Sequence, residues 1–93
     1  MNDATLIALA TQNVNPDYVD LDTLHVEVDQ RSPRAWTVSV LGKTHPCECF
    51  GTRQTHIVYA ARCAGKTPAK AYARVESVLR RRIARLADAR SAV

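Results

Sequence analysis

The chain has 93 residues, and its 13 Lys and Arg side chains, the first of them Arg31, have the types and spacing that point most directly to chemistry. Seven of the 13 lie in residues 67–93, where only Glu76 and Asp88 oppose them. On a helix turning about 100° per residue, Lys70, Arg74, Arg81 and Arg85 form one line opposite an apolar stripe of Tyr72, Val75, Leu79, Ile83 and Leu86. Arg80 and Arg82 flank that line, and Lys66 precedes it. From Lys70 to Arg85 the helix rises about 22 Å. A guanidinium fork pairs with phosphate oxygens through two parallel N–H donors, so the pattern suits nucleic acid or a nucleic-acid–protein complex. Basic residues near a helix C-terminus also favour its dipole. Seven bases against two acids exceeds what that requires.

Ala60-Ala61-Arg62-Cys63-Ala64-Gly65-Lys66-Thr67 fits a relaxed phosphate-loop pattern with Ala in the first position. In such a loop, amides and Lys66 would cradle phosphates and Thr67 would hold magnesium. Only 26 residues follow Thr67, and they read as one helix, which leaves no later parallel strand to present an acid to the metal. A single glycine also makes close approach of backbone to phosphate harder. The simpler reading makes Thr67 a helix N-cap with Pro68 at the first helical position.

His45, Cys47, Cys49, His56 and Cys63 are five side chains able to bind zinc within 19 residues. Thiolate and imidazole suit a tetrahedral structural site, and a small domain gains from such a staple. Cys-x-Cys on an extended chain places both sulfurs along one face, however, whereas structural sites favour Cys pairs with two to four residues between them. Reduced thiols are the commoner outcome in a cytosolic domain, so no metal is expected. His45 or His56 beside Cys47 could also form a nucleophile–base pair, but that chemistry needs a cleft. A domain of this size has little surface for one. The expectation is a non-enzymatic protein without a cofactor or small-molecule substrate.

Charge supports a binding role. Residues 1–30 carry Asp3, Asp17, Asp20, Asp22, Glu27 and Asp29 with no base, a charge of −6. Residues 31–93 carry +10. The overall +4 therefore hides a bipolar chain, which either seeks an anionic partner or neutralises itself on folding. Hydrophobic residues make up 46%, but 14 are Ala, which leaves enough larger side chains for one modest core. No run approaches a membrane span, and the apolar stretch 4–10 lacks the basic flank of a signal peptide. A cytoplasmic protein without membrane contact is expected.

The elements that must carry these residues follow from periodicity. Asp3 can cap a short helix with Leu6, Ile7, Leu9 and Ala10 on its apolar side, ended near Asn13 and Pro16. Residues 21–29 alternate, with Leu24, Val26 and Val28 facing the core. After a turn at 30–33, residues 34–41 repeat the pattern, with Trp36, Val38 and Val40 inward and Thr37 and Ser39 outward. Residues 42–53 read as a long loop or distorted edge strand. Residues 56–63 are compatible with strand through Ile57, Val58 and Tyr59, or with helix through Ala60 and Ala61. Gly65 favours the strand.

The expected fold is a small single α+β domain over 1–93, with helix and loop at 1–20, a three-stranded antiparallel sheet at 21–64 and a basic amphipathic helix at 67–90 packed on it. This order resembles that of the double-stranded-RNA-binding domain. The resemblance is one of topology, because that family's last helix begins with a basic pair after a small-residue turn, and here Gly65-Lys66-Thr67 is followed by Pro68 and Ala69. Three functions remain open at this level. One is a nucleic-acid-binding module, DNA or RNA, working through Lys66, Lys70, Arg74, Arg80, Arg81, Arg82 and Arg85. The second is a phage-type protein inhibitor, anti-CRISPR-like, acting by protein–protein contact. The third is a zinc-stapled domain.

Overall fold

The computed structural model describes residues 2–49 and 51–91, with Cys49 through its backbone alone. The element order is α1 (Asp3–Thr11), β1 (Val19–Ser32), β2 (Ala35–Thr44), β3 (Cys47–Cys49), β4 (Thr52–Gln54), β5 (Ile57–Gly65) and α2 (Pro68–Ser91). Strands β1, β2 and β5 form an antiparallel sheet in that spatial order, so β2 is central and β1 and β5 are edges. Both helices lie over one face and share its core.

Alternation builds that core. Val26 pairs with Val40 and Val28 with Val38, so one face of β1 and β2 is a row of branched apolar side chains. Val38, Val40, Val75 and Leu79 are completely buried, and Leu6, Leu9, Ala10 and Tyr72 close over them. Val28 does not join them. It is 45% exposed on an edge strand, which corrects its expected core place. Leu86, 44% exposed, is corrected for a different reason: α2 buries residues only from Ala71 to Leu79, and its later turns run past the sheet.

Residues 56–63 are strand, and packing explains why they resemble helix. Val40 pairs with Ala61 and Leu41 with Tyr59, so Ala60 is an extra residue, a bulge. Adjacent alanines Ala60 and Ala61 thereby both enter the core beneath α2. Gly65 completes this close approach. A Cβ there would stand 2.7 Å from the Ala71 backbone nitrogen.

Local sequence sets the element ends. Asn2, not Asp3, caps α1, its Oδ1 accepting from Ala4 N at 3.0 Å. An Asp3 carboxylate instead accepts a hydrogen bond from the Tyr72 hydroxyl and ties α1 to α2. Asn13 continues the tie, donating from Nδ2 to Leu9 O at 2.8 Å and to Leu79 O at 3.3 Å. Residues 42–53, expected as a long loop or a distorted edge strand, contain the end of β2 and the small β3–β4 hairpin, whose turn uses Gly51 at φ +78°. The first two strands also run longer than the alternation marks, because backbone pairing continues past the apolar residues.

Candidate nucleic-acid interface

The helix that carries the basic residues starts where its sequence directs. Thr67 Oγ1 accepts from Lys70 N at 3.2 Å and Thr67 O from Ala71 N at 3.1 Å, with Pro68 as the first helical residue. The phosphate-loop pattern therefore spans the tail of an antiparallel edge strand and a helix cap. Ala71, Tyr72, Val75 and Leu79 then anchor α2 on the sheet, which leaves the basic line outward.

All seven expected side chains are exposed, but they do not act as one set. Arg74 donates from Nη1 to Ala64 O at 2.7 Å, and Arg82 Nη1 donates to Ala60 O. Two guanidinium groups of α2 thus reach carbonyls of the edge strand β5. This fixes the flank of α2 on which the line sits, and it shields an edge that another strand could otherwise extend. Arg81 Nε lies 3.4 Å from Ser77 O on the same helix. Arg80, beside the line, pairs with Glu76 one turn earlier at 3.6 Å. Lys66, Lys70 and Arg85 make no side-chain hydrogen bond or ion pair with the described residues. Arg81, Arg82 and Arg85 surround a shallow hollow of about 220 Å³ with Val78, and no carboxylate lines it.

The acidic half lies elsewhere. Asp20, Asp22, Glu27 and Asp29 sit on β1, the edge opposite β5. The described ion pairs are short-range: His25 with Glu27, Asp29 with Arg31, and Glu76 with Arg80. None joins an acid of residues 1–30 to a base of α2. Asp29–Arg31 is the one described pair that joins the acidic residues 1–30 to the basic remainder of the chain.

Tyr72 and His25 are displaced from their ordinary ranges. Tyr72 is pushed up to about 12, first by burial and then by its hydrogen bond and charge interaction with Asp3. His25 is raised by its hydrogen bond to the Thr23 carbonyl and then by Glu27. Nδ1 lies 2.9 Å from that carbonyl and Nε2 3.0 Å from Glu27 Oε1, two acceptors that together favour the doubly protonated ring.

The arrangement of the zinc candidates argues against a staple. Cys63 packs against the core, Cys47 is exposed on the protruding hairpin, and the His45 ring turns to Pro16 O at 2.8 Å. Among the described residues no three His, Cys, Asp or Glu side chains converge on a common point, and the Cys49 side chain lies outside the description. No described helix is long and apolar enough to cross a membrane. Comparison of the chain with protein-family models, with curated proteins and with solved structures gives no match.

The sequence pointed to the α2 line but not to β5 as its neighbour. It also passed over Arg62, which stacks on Tyr59 with its guanidinium carbon 5.6 Å from the ring centroid. The three-residue separation of that pair gave no alternation signal, because the Ala60 bulge alters the register between them.

Proposed function

We propose that this chain is a non-enzymatic binding module that docks through the basic flank of α2 on nucleic acid or on a nucleic-acid–protein complex. The hollow ringed by Arg81, Arg82 and Arg85 carries this reading. Three guanidinium groups repel one another, and no carboxylate within the hollow relieves them. A phosphate would do so while accepting several charge-assisted hydrogen bonds. Lys70 and Arg74 extend the line toward the helix start, so successive phosphates of one strand can be held without reading bases.

A salt titration tests this. Four phosphate contacts on a duplex give a slope of about −3.6 for log affinity against log salt, at roughly 0.9 per contact. Arg81→Gln is expected to lower the steepness by about 0.9 and to weaken two unrelated duplexes equally. A flat salt response in the wild type would overturn nucleic acid as the partner and move α2 to an acidic protein surface. An unchanged slope in the folded variant would remove Arg81 from the contact.

A further inference from the structure

The face of the sheet that the helices leave uncovered has a second, unrelated arrangement. Register places Glu27, Ser39 and Arg62 in one cross-strand row, and Asp29, Thr37 and Ala64 in the next. With neighbouring strands about 4.8 Å apart, the outer rows stand about 10 Å from each other. Between them runs an open furrow of about 360 Å³, with Glu27 and Asp29 on one side, Tyr59 and Arg62 on the other, and Thr37 and Ser39 as its floor.

The floor is unusual. Thr37 is 9% exposed and Ser39 7%, although no element covers this face. Alternation expected both simply outward, toward water. Glu27 and Arg62 flank Ser39 on the neighbouring strands, and Asp29 and Ala64 flank Thr37. Neither hydroxyl makes a hydrogen bond with another described group, and no fully buried side-chain oxygen is left unpaired, so both open into the furrow. Both hydroxyls, on residues otherwise nine-tenths buried, keep their hydrogen-bonding capacity free for a ligand in the furrow.

We propose that this furrow binds a nucleotide whose base carries an exocyclic amino group. The walls select that chemistry. Tyr59 and Arg62, whose guanidinium carbon lies 5.6 Å from the ring centroid, form a cationic aromatic platform on one side of the furrow, so a planar base fits edge-on between it and the opposite wall. Carboxylates opposite it can only accept, so the facing edge of the ring must present N–H donors. Their ion pairs use Glu27 Oε1 and Asp29 Oδ2, which leaves Oε2 and Oδ1 for the ligand. Ser39 and Thr37 can donate to a ring acceptor or accept from an amine. Arg62 makes no ion pair with the described residues, and it supplies the charge for a phosphate on the platform side. Uracil and thymine present carbonyl oxygens on both sides of their single N–H, and the carboxylate wall disfavours them. The nucleotide can be free or part of a strand; its being part of a strand rests on the function proposed for α2.

Amide chemical-shift mapping of the intact protein with guanosine and uridine monophosphates tests this. Guanosine monophosphate is expected to move the amides of Glu27, Thr37, Ser39, Tyr59 and Arg62, with uridine monophosphate binding about tenfold more weakly for the lost donor–acceptor matches. Thr37→Val, which keeps the shape and removes the hydroxyl, is expected to weaken guanosine monophosphate about three- to tenfold without unfolding the sheet. Glu27→Gln, which can donate as well as accept, is expected to narrow the preference over uridine. No shift in the furrow, equal response to the two nucleotides, or wild-type affinity in folded Thr37→Val would each overturn the proposal. Arg81→Gln separates it from the function of α2. If that variant weakens oligonucleotides but leaves the mononucleotide shifts intact, both sites stand. If oligonucleotides never bind while guanosine monophosphate still moves the furrow, the ligand is a free nucleotide and only the α2 reading falls.

Discussion

His25 shows how one side chain can report on the acidic edge. A carbonyl at Nδ1 and a carboxylate at Nε2 both favour the imidazolium, so its folded pKa lies above 6.5. A group raised on folding stabilises the fold fully below its unfolded pKa, and that contribution is lost as pH rises through the folded value. The window therefore begins near pH 6.5 and extends upward. Imidazole resonances followed by NMR are expected to titrate above 6.5, and Glu27→Gln to bring the midpoint down. Because the Thr23 carbonyl is the larger cause, the variant should retain part of the shift. A wild-type midpoint at or below 6.5 would mean that the pair is not formed in solution. Tyr72 presents the opposite case, a phenol held neutral by burial while its hydroxyl serves Asp3.

At the scale of elements, α2 has two parts that pack differently. Its first three turns are structural: they bury Ala71, Tyr72, Val75 and Leu79 and press against the strand end at Gly65. The remainder, with Arg81, Arg82 and Arg85, is held by Ile83 at the core margin and by guanidinium contact with β5. One apolar stripe therefore predicts two different stabilities. Leu79→Ala is expected to destabilise the protein by about 2–5 kcal/mol, as for a fully buried leucine. Leu86→Ala, on the overhanging turns, is expected to stay within about 0.5 kcal/mol. Urea denaturation of both variants checks the contrast, and equal losses would place Leu86 in a buried contact.

For the whole molecule, the separation of charge has a measurable consequence. Acids on the edge strand β1 and bases on α2, which packs over β5 and β2, form no described ion pair with each other. Salt screens repulsion within each cluster as well as attraction between them, over about 10 Å at 0.1 M. With no described ion pair between the two clusters, the thermal midpoint is expected to hold steady or rise as salt increases. A fall of several degrees would mean that the two halves neutralise each other. That measurement uses no ligand, so it tests the bipolar surface apart from either binding proposal.

How much of this was legible in the chain depended on the range of the forces involved. Period-two alternation in β1 and β2, the Thr67-Pro68 cap and the 3.6-residue stripe of α2 are local, and they determined by themselves the α+β order and the outward basic line. The split of −6 and +10 was equally plain. Tertiary packing decided the rest. Which leucines of the stripe are buried depends on where the sheet ends, and Leu86 carries no mark of that. Ala60 and Ala61 belong to a strand because a helix packs closely over them, and small residues read as helix formers until that neighbour is known. Thr37 and Ser39 alternate as solvent-facing residues. They became the floor of a furrow only when Glu27 and Arg62, 35 positions apart in the chain, were brought to either side of Ser39 by the strand order β1-β2-β5. Periodicity gives the face on which a side chain stands; long-range pairing decides which neighbours share that face.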